Sequence, residues 1–273
     1  MIELGIFAKT FSRRSLAEVL EAVKAHGFST MQFNMTCAGL PAMPEKIPTQ
    51  LAISIGSTCQ SMGITMAAVS GTFNMIHPDP KVRQRGLKRL EVIAQSCHTM
   101  GTDTITLCTG TRHPTDKWTA HPDNNLPDAW SDLLHTMDKA LLIAEKHDIQ
   151  LAFEPETANV VNSTAKGKRL LEEMKSDRLK VVFDPANLFE QASVAEIKAL
   201  IVQGLADLGD HVIMAHAKDR VAEGQFTAAG NGIVPFGFFV HQLEAIGFAG
   251  PLVAHGLRQG EVTNVHNYLR SLL

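Results

Sequence analysis

Four cysteines, Cys37, Cys59, Cys97 and Cys108, are all this chain has, and no two stand at CxxC spacing. That excludes a disulfide framework and a zinc knuckle. Cys108 closes an apolar run and reads as a buried thiol. An excess of one charge is missing too: 25 Lys and Arg face 28 Asp and Glu, leaving −3 with His neutral. Such a balance gives no electrostatic footprint for nucleic acid or for an acidic membrane surface. No apolar run is long enough to span a bilayer. The opening MIELGIF lacks the basic region and apolar core of a signal peptide, so a cytoplasmic protein is expected. No P-loop, GxGxxG or GxSxG occurs, which removes the nucleotide and serine-hydrolase readings that rest on those motifs.

What is present is a regular beat. Of the 273 residues, 45% are hydrophobic and 19% charged, an ordinary globular composition with enough chain for a substantial core. Short apolar runs predict strands at Ile2–Phe7, Thr30–Phe33, Ile64–Ser70, Thr104–Cys108, Leu151–Glu154, Leu179–Asp184, Val212–His216 and Pro251–His255. Between them, helical spacing predicts Ser15–His26, Pro48–Met62, Lys81–Met100, Ala129–His147, Ser163–Met174, Ser193–Leu208, Pro235–Ala245 and Val262–Leu272. A long polar loop fills 109–128, and a glycine-rich loop runs from Glu223 to Gly232. Eight strand–helix units of roughly 30 residues each, with no linker, predict one α/β domain over 1–273, a single (β/α)8 TIM barrel. An open doubly wound sheet would call for a glycine fingerprint after the first strand, and AKTFSRRS there has none.

In such a barrel the C-terminal strand ends converge on one mouth. Those positions are Asn34, Ser70, Thr109, Glu154, Asp184, His216 and His255. Two carboxylates and two imidazoles from the last four strands form a ligand set suited to Zn²⁺ or Mn²⁺ rather than Ca²⁺. Glu154, Asp184, His216 and His255 are therefore the expected metal ligands. In the stretch QLAFEPE, Pro155 ends the strand, and Glu156, two residues from Glu154, shares its face. Around the mouth, Asn74, His77, Arg112, Trp118, Asn187, Lys218 and Arg220 are the expected substrate contacts, the two cations serving a substrate oxyanion or carboxylate.

Three segments, LAFEPE at Leu151–Glu156, VVFDPAN at Val181–Asn187 and HAKD at His216–Asp219, resemble those of the xylose-isomerase-like barrel superfamily. The match is to its sugar phosphate isomerase/epimerase group, also called AP endonuclease family 2. GPLVAH at Gly250–His255 adds to the likeness, which covers essentially the whole chain. The group includes inosose isomerases and dehydratases, ketose 3-epimerases, hydroxypyruvate isomerase and the endonuclease IV enzymes. The resemblance implies metal ligands Glu, Asp, His and Glu, mapping onto Glu154, Asp184, His216 and position 255. Here position 255 is His, which removes one of the two glutamates that move the proton in the epimerases. Val160 stands where ketose 3-epimerases carry a substrate-contacting glutamate. Both departures argue against a plain ketose 3-epimerase.

The resemblance implies a divalent-metal-dependent isomerase or epimerase of a small polyhydroxylated carbonyl compound, working through an enediolate. Glu154 or Glu156 would remove the proton beside the carbonyl, and His255 would return it or protonate the oxygen. A lyase, either dehydratase or decarboxylase, is the alternative outcome of the same intermediate. His77 and His113 lie in loops where the endonuclease IV enzymes place further zinc ligands. The −3 charge and Asn187, in place of an expected histidine, weigh against that activity. A non-catalytic sugar-binding protein is the remaining reading. Relatives are often dimers or tetramers, so a homo-oligomer is an expectation too, with no membrane or nucleic-acid partner.

Overall fold

A computed structural model describes residues 2–273 of the chain. Eight parallel strands close on themselves: β1 (Glu3–Phe7), β2 (Thr30–Phe33), β3 (Thr65–Ser70), β4 (Thr104–Cys108), β5 (Gln150–Glu154), β6 (Leu179–Phe183), β7 (Val212–Arg220) and β9 (Pro251–Ala254). Each pairs with its predecessor, β7 pairs with β9, and β9 returns to β1 through Glu3↔Pro251 to Ile6↔Ala254. A short strand, β8 (Phe226–Ala228), folds back antiparallel on the end of β7. The (β/α)8 barrel is thus the fold.

Outside lie α1 (Leu16–Ala25), α2 (Thr49–Met62), α3 (Pro80–Ala94), α4 (Cys97–Met100), α5 (Pro127–His147), α6 (Thr164–Met174), α7 (Val194–Leu208), α8 (Phe236–Ala245) and α9 (Val262–Arg270). Their ends follow local chemistry. The Ser163 side chain accepts the N–H of Lys166, and Ser193 forms a reciprocal capping box with Glu196. Gly63 and Gly101 close α2 and α4 with φ of 65° and 92°, a backbone that glycine adopts without a steric cost.

Two apolar layers result. The larger one fills the space between the helices and the outside of the barrel, with Phe33, Phe153 and Phe183 among its fully buried side chains. A second, smaller cluster inside the barrel joins Ala68, Ala152, Val182, Met214 and Val253. That inner plug fills the middle of the barrel beneath the polar side chains of the mouth.

Three expectations need revision. The helix predicted over Lys81–Met100 breaks at Gln95 and Ser96 into α3 and α4. Pro235 is the residue before α8 rather than its first helical position. The strand predicted to end at His216 continues to Arg220, and part of the glycine-rich loop pairs with it as β8.

A carboxylate–histidine centre at the barrel mouth

β5 stops at Glu154, as Pro155 requires, and delivers its carboxylate to the mouth. β6 stops one residue before Asp184, whose Oδ1 accepts the N–H of Ala186 and caps a short 3-10 turn, Pro185–Asn187. His216 lies mid-strand in β7. One donor atom from each of Glu154, Asp184 and His216 lies within 4.8 Å of the other two. His216 Nδ1 is 3.2 Å from Glu154 Oε1 and 3.9 Å from Asp184 Oδ2.

The far side of His216 sets its tautomer. Nε2 faces the Gln32 carbonyl oxygen at 2.7 Å, and the Gln32 amide donates to Ser70 Oγ and Thr106 Oγ1. With Gln32 Oε1 thereby fixed as an acceptor, Nε2 carries a proton and Nδ1 faces the carboxylates, the nitrogen that a neutral ring would offer to a metal. Asp184 Oδ2 is buried and makes no hydrogen bond, although the Lys218 ammonium stands 3.2 Å away as an ion partner. Three electron-pair donors facing one point, one of them without a hydrogen bond, fit a divalent cation. Gln32 had no motif to mark it. Its only sequence signal was a polar residue within the apolar run TMQF.

A third carboxylate, that of Glu156, adjoins this group. The Asn187 amide donates to Glu154 Oε1 at 2.7 Å and to Glu156 Oε1 at 3.3 Å, while its oxygen accepts from Lys218 Nζ at 2.7 Å. Asn159 donates to the other Glu156 oxygen at 2.8 Å. Burial opposes charge on Glu154, but His216 and Lys218 outweigh it and hold the carboxyl at about 2. Burial and the neighbouring Glu154 push Glu156 up to about 8, and burial also raises Asp184. Lys218 is buried, yet Asp184, Glu154 and Glu156 keep its ammonium charged above the ordinary value. His255 lies outside the three-residue group. Its ring centroid is 5.0 Å from that of His216 and 5.1 Å from that of Phe7. Burial, with His216 and the Lys218 ammonium beside it, pushes its imidazole well below the ordinary value, so it is neutral. Burial pushes the Cys108 thiol up to about 12, which leaves it inert.

The family model described as xylose isomerase-like TIM barrel matches residues 20–267. The chain belongs to that family. Among solved structures, this xylose isomerase-like barrel is similar to 3-keto-D-glucoside 4-epimerase YcjR from E. coli (TM-score 0.78, 16% identity, 99% of this chain and 100% of that one). It is also similar to a xylose isomerase domain protein from Planctomyces limnophilus (TM-score 0.76, 18% identity, 99% and 96%). D-allulose 3-epimerase from Methylomonas sp. is a third (TM-score 0.73, 14% identity, 100% and 98%). No curated protein sequence matches the chain.

The remaining predicted contacts of this xylose isomerase-like barrel divide into two groups. Asn187 and Lys218 belong to the centre itself. Arg220 lies beside it, its guanidinium bonded to the Ala186 and Gly224 carbonyls and stacked 4.0 Å from the Phe226 ring centroid. Away from the centre, Arg112 is clamped by Asp132 at 2.7 Å, Asp128 and the Ile76 carbonyl. Asn74 is buried, donates to the Thr111 carbonyl and accepts from two backbone N–H groups. His77 bridges Asp79 and Pro114. Those three side chains tie the loops after β3 and β4 to each other and to α5. Trp118 is half exposed at the rim.

Proposed function

We propose that this barrel is a divalent-metal-dependent isomerase or epimerase of a small sugar or polyol carbonyl compound, acting through an enediolate. The observation that carries the reading is the convergence of Glu154, Asp184 and His216 at the mouth, with Glu156 beside them and outside the ligand group. The neighbours named as sugar epimerases support the choice of substrate class.

Glu154, Asp184 and His216 would hold the ion, which supplies Lewis acidity toward a carbonyl oxygen and the adjacent hydroxyl. Glu156, positioned by Asn187 and Asn159, takes the proton from the carbon beside the carbonyl. The Lys218 ammonium, fixed by Asn187 and Asp184, offsets the charge that develops on oxygen. Neutral His255, three strands round the barrel from Glu156, donates a proton to one oxygen and recovers one from the other. Returning the carbon-bound proton from Glu156 to the neighbouring carbon completes an isomerisation. Epimerisation instead needs a proton delivered to the opposite face of the original carbon by a second group, the role His255 would take.

The test is elemental analysis of the purified protein beside Glu154→Ala, followed by solvent deuterium exchange into keto-sugars and inososes. We expect about one Zn or Mn per chain, lost in the variant, and exchange that falls about a hundredfold or more in Glu156→Gln. A protein that neither carries nor takes up metal on reconstitution overturns the reading.

A further inference from the structure

A second concavity opens beside the centre, between the loops that follow β2, β3 and β4. It is a groove of about 570 Å³. Its cations are Arg85, Arg89 and Lys117, and its one carboxylate is Asp116. Asp116 is already engaged by the Trp118 N–H and the Thr119 hydroxyl. Arg89 is shared with Glu45. The other two cations have no acidic partner among the described residues: Arg85 makes no hydrogen bond or ion pair, and Lys117 Nζ rests on the Thr72 carbonyl at 2.8 Å. His113 adds a donor. Its Nδ1 accepts the Asp116 N–H at 3.0 Å, which puts the ring proton on Nε2, facing no protein acceptor. On a chain of net charge −3, this is a local positive basin. Its wall is the Trp118 indole, half exposed, with Lys117 Nζ 5.1 Å from the ring centroid.

The groove shares a wall with the centre. Cys108 Sγ donates to the Phe73 carbonyl in the groove lining, and Cys108 pairs in register with Glu154 on the next strand. One strand spacing plus a side chain puts the near wall of the groove, at Phe73, about 10 Å from the Glu154 carboxylate, on the scale of an extended open-chain sugar with a charged terminus.

We infer that this groove holds the anionic end, a phosphate or carboxylate, of a sugar substrate whose carbonyl lies at Glu154 and Glu156, with Trp118 stacked on its carbon chain. The inference rests on the function proposed above and narrows its substrate class to acidic sugars. Arg85 and Lys117 bind the anion, His113 Nε2–H donates to it, and Arg112 and Asn74 hold the loops that carry them.

Trp118 emission reports on the groove directly, with Trp118→Phe as the control for the buried Trp130. The probes are inorganic phosphate and a matched ketose series: fructose 6-phosphate, fructuronate and fructose. We expect an emission change with at least one acidic sugar at concentrations about tenfold or more below those needed with fructose. Arg85→Glu, at an exposed and unpartnered position that the fold does not need, should remove that preference. Glu154→Ala should leave the emission change in place. A response to the phosphate ester alone, shared by inorganic phosphate, assigns a phosphate; a response to fructuronate alone assigns a carboxylate. Equal response to all three sugars, no response to any, or an unchanged preference in Arg85→Glu overturns the inference. Failure of solvent exchange with groove binding intact overturns the proposed reaction and not the groove.

Discussion

Glu156 sits where two demands conflict. Its carboxyl is buried beside Glu154, and both effects favour the protonated form, pushing its titration from the ordinary 4.5 to about 8. In the metal-free protein the folded state therefore holds this proton between pH 4.5 and 8 while the unfolded state has released it. Stability must fall as pH rises through that window. Glu156→Gln mimics the protonated acid, so denaturation with chelator present should show no difference from wild type below pH 4.5. At pH 8 the variant should gain about 2 kcal/mol, less than the full linkage value because the carboxyl lies at an open mouth with Lys218 nearby. A flat difference across pH would show that Glu156 is solvated. Both glutamates were legible in the sequence from the strand-ending EPE. Their shared partner Asn187 was legible only as a residue near the mouth, since the bond to Glu156 depends on the 3-10 turn that Asp184 caps.

At the scale of an element, the β7–β8 hairpin is where the structure adds most to the sequence. Asp219 is fully buried and accepts the backbone N–H groups of Gly230, Gly232 and Val234 at 3.0, 2.9 and 2.9 Å. It thereby folds the glycine-rich segment back over the extended end of β7. A Cβ on Gly232 would land on the Arg220 carbonyl oxygen and the Asp219 carboxylate, which explains a glycine at that point. Asp219→Ala should destabilise the protein by about 2 kcal/mol or more, by leaving those donors without their acceptor. Hydrogen exchange should show the loss of protection concentrated at Gly230–Val234; uniform loss across the barrel would refute a local role. The segment KDR reads from sequence as charge at the mouth, with Lys218 and Arg220 open to a substrate anion. Lys218, Asp219 and Arg220 are instead buried, because a closing hairpin supplies partners that no sequence window contains.

For the whole molecule, the centre links three neighbouring strands, so a bound cation should stabilise the fold and not only the mouth. At a hundredfold excess over its dissociation constant, a metal adds about 2.7 kcal/mol, or roughly 5–10 °C in Tm for a domain of this size. Adding Zn²⁺ or Mn²⁺ to chelated protein should produce that rise, and Glu154→Ala should abolish it; an equal rise in the variant would place the binding elsewhere. The sequence by itself determined the barrel, its eight strands, the strand ends that carry Glu154 and Asp184, and the place of His216 on the seventh strand. Periodicity and breaker residues are local, and barrel topology then brings the same end of every strand to one mouth. Only the tertiary structure decided that Gln32 orients His216, that His255 stands beside the three-residue group, and that Arg112 and Asn74 serve the scaffold. Those roles depend on which side chain reaches which neighbour across strands and loops, distances of a few ångströms that hydrophobic pattern does not encode.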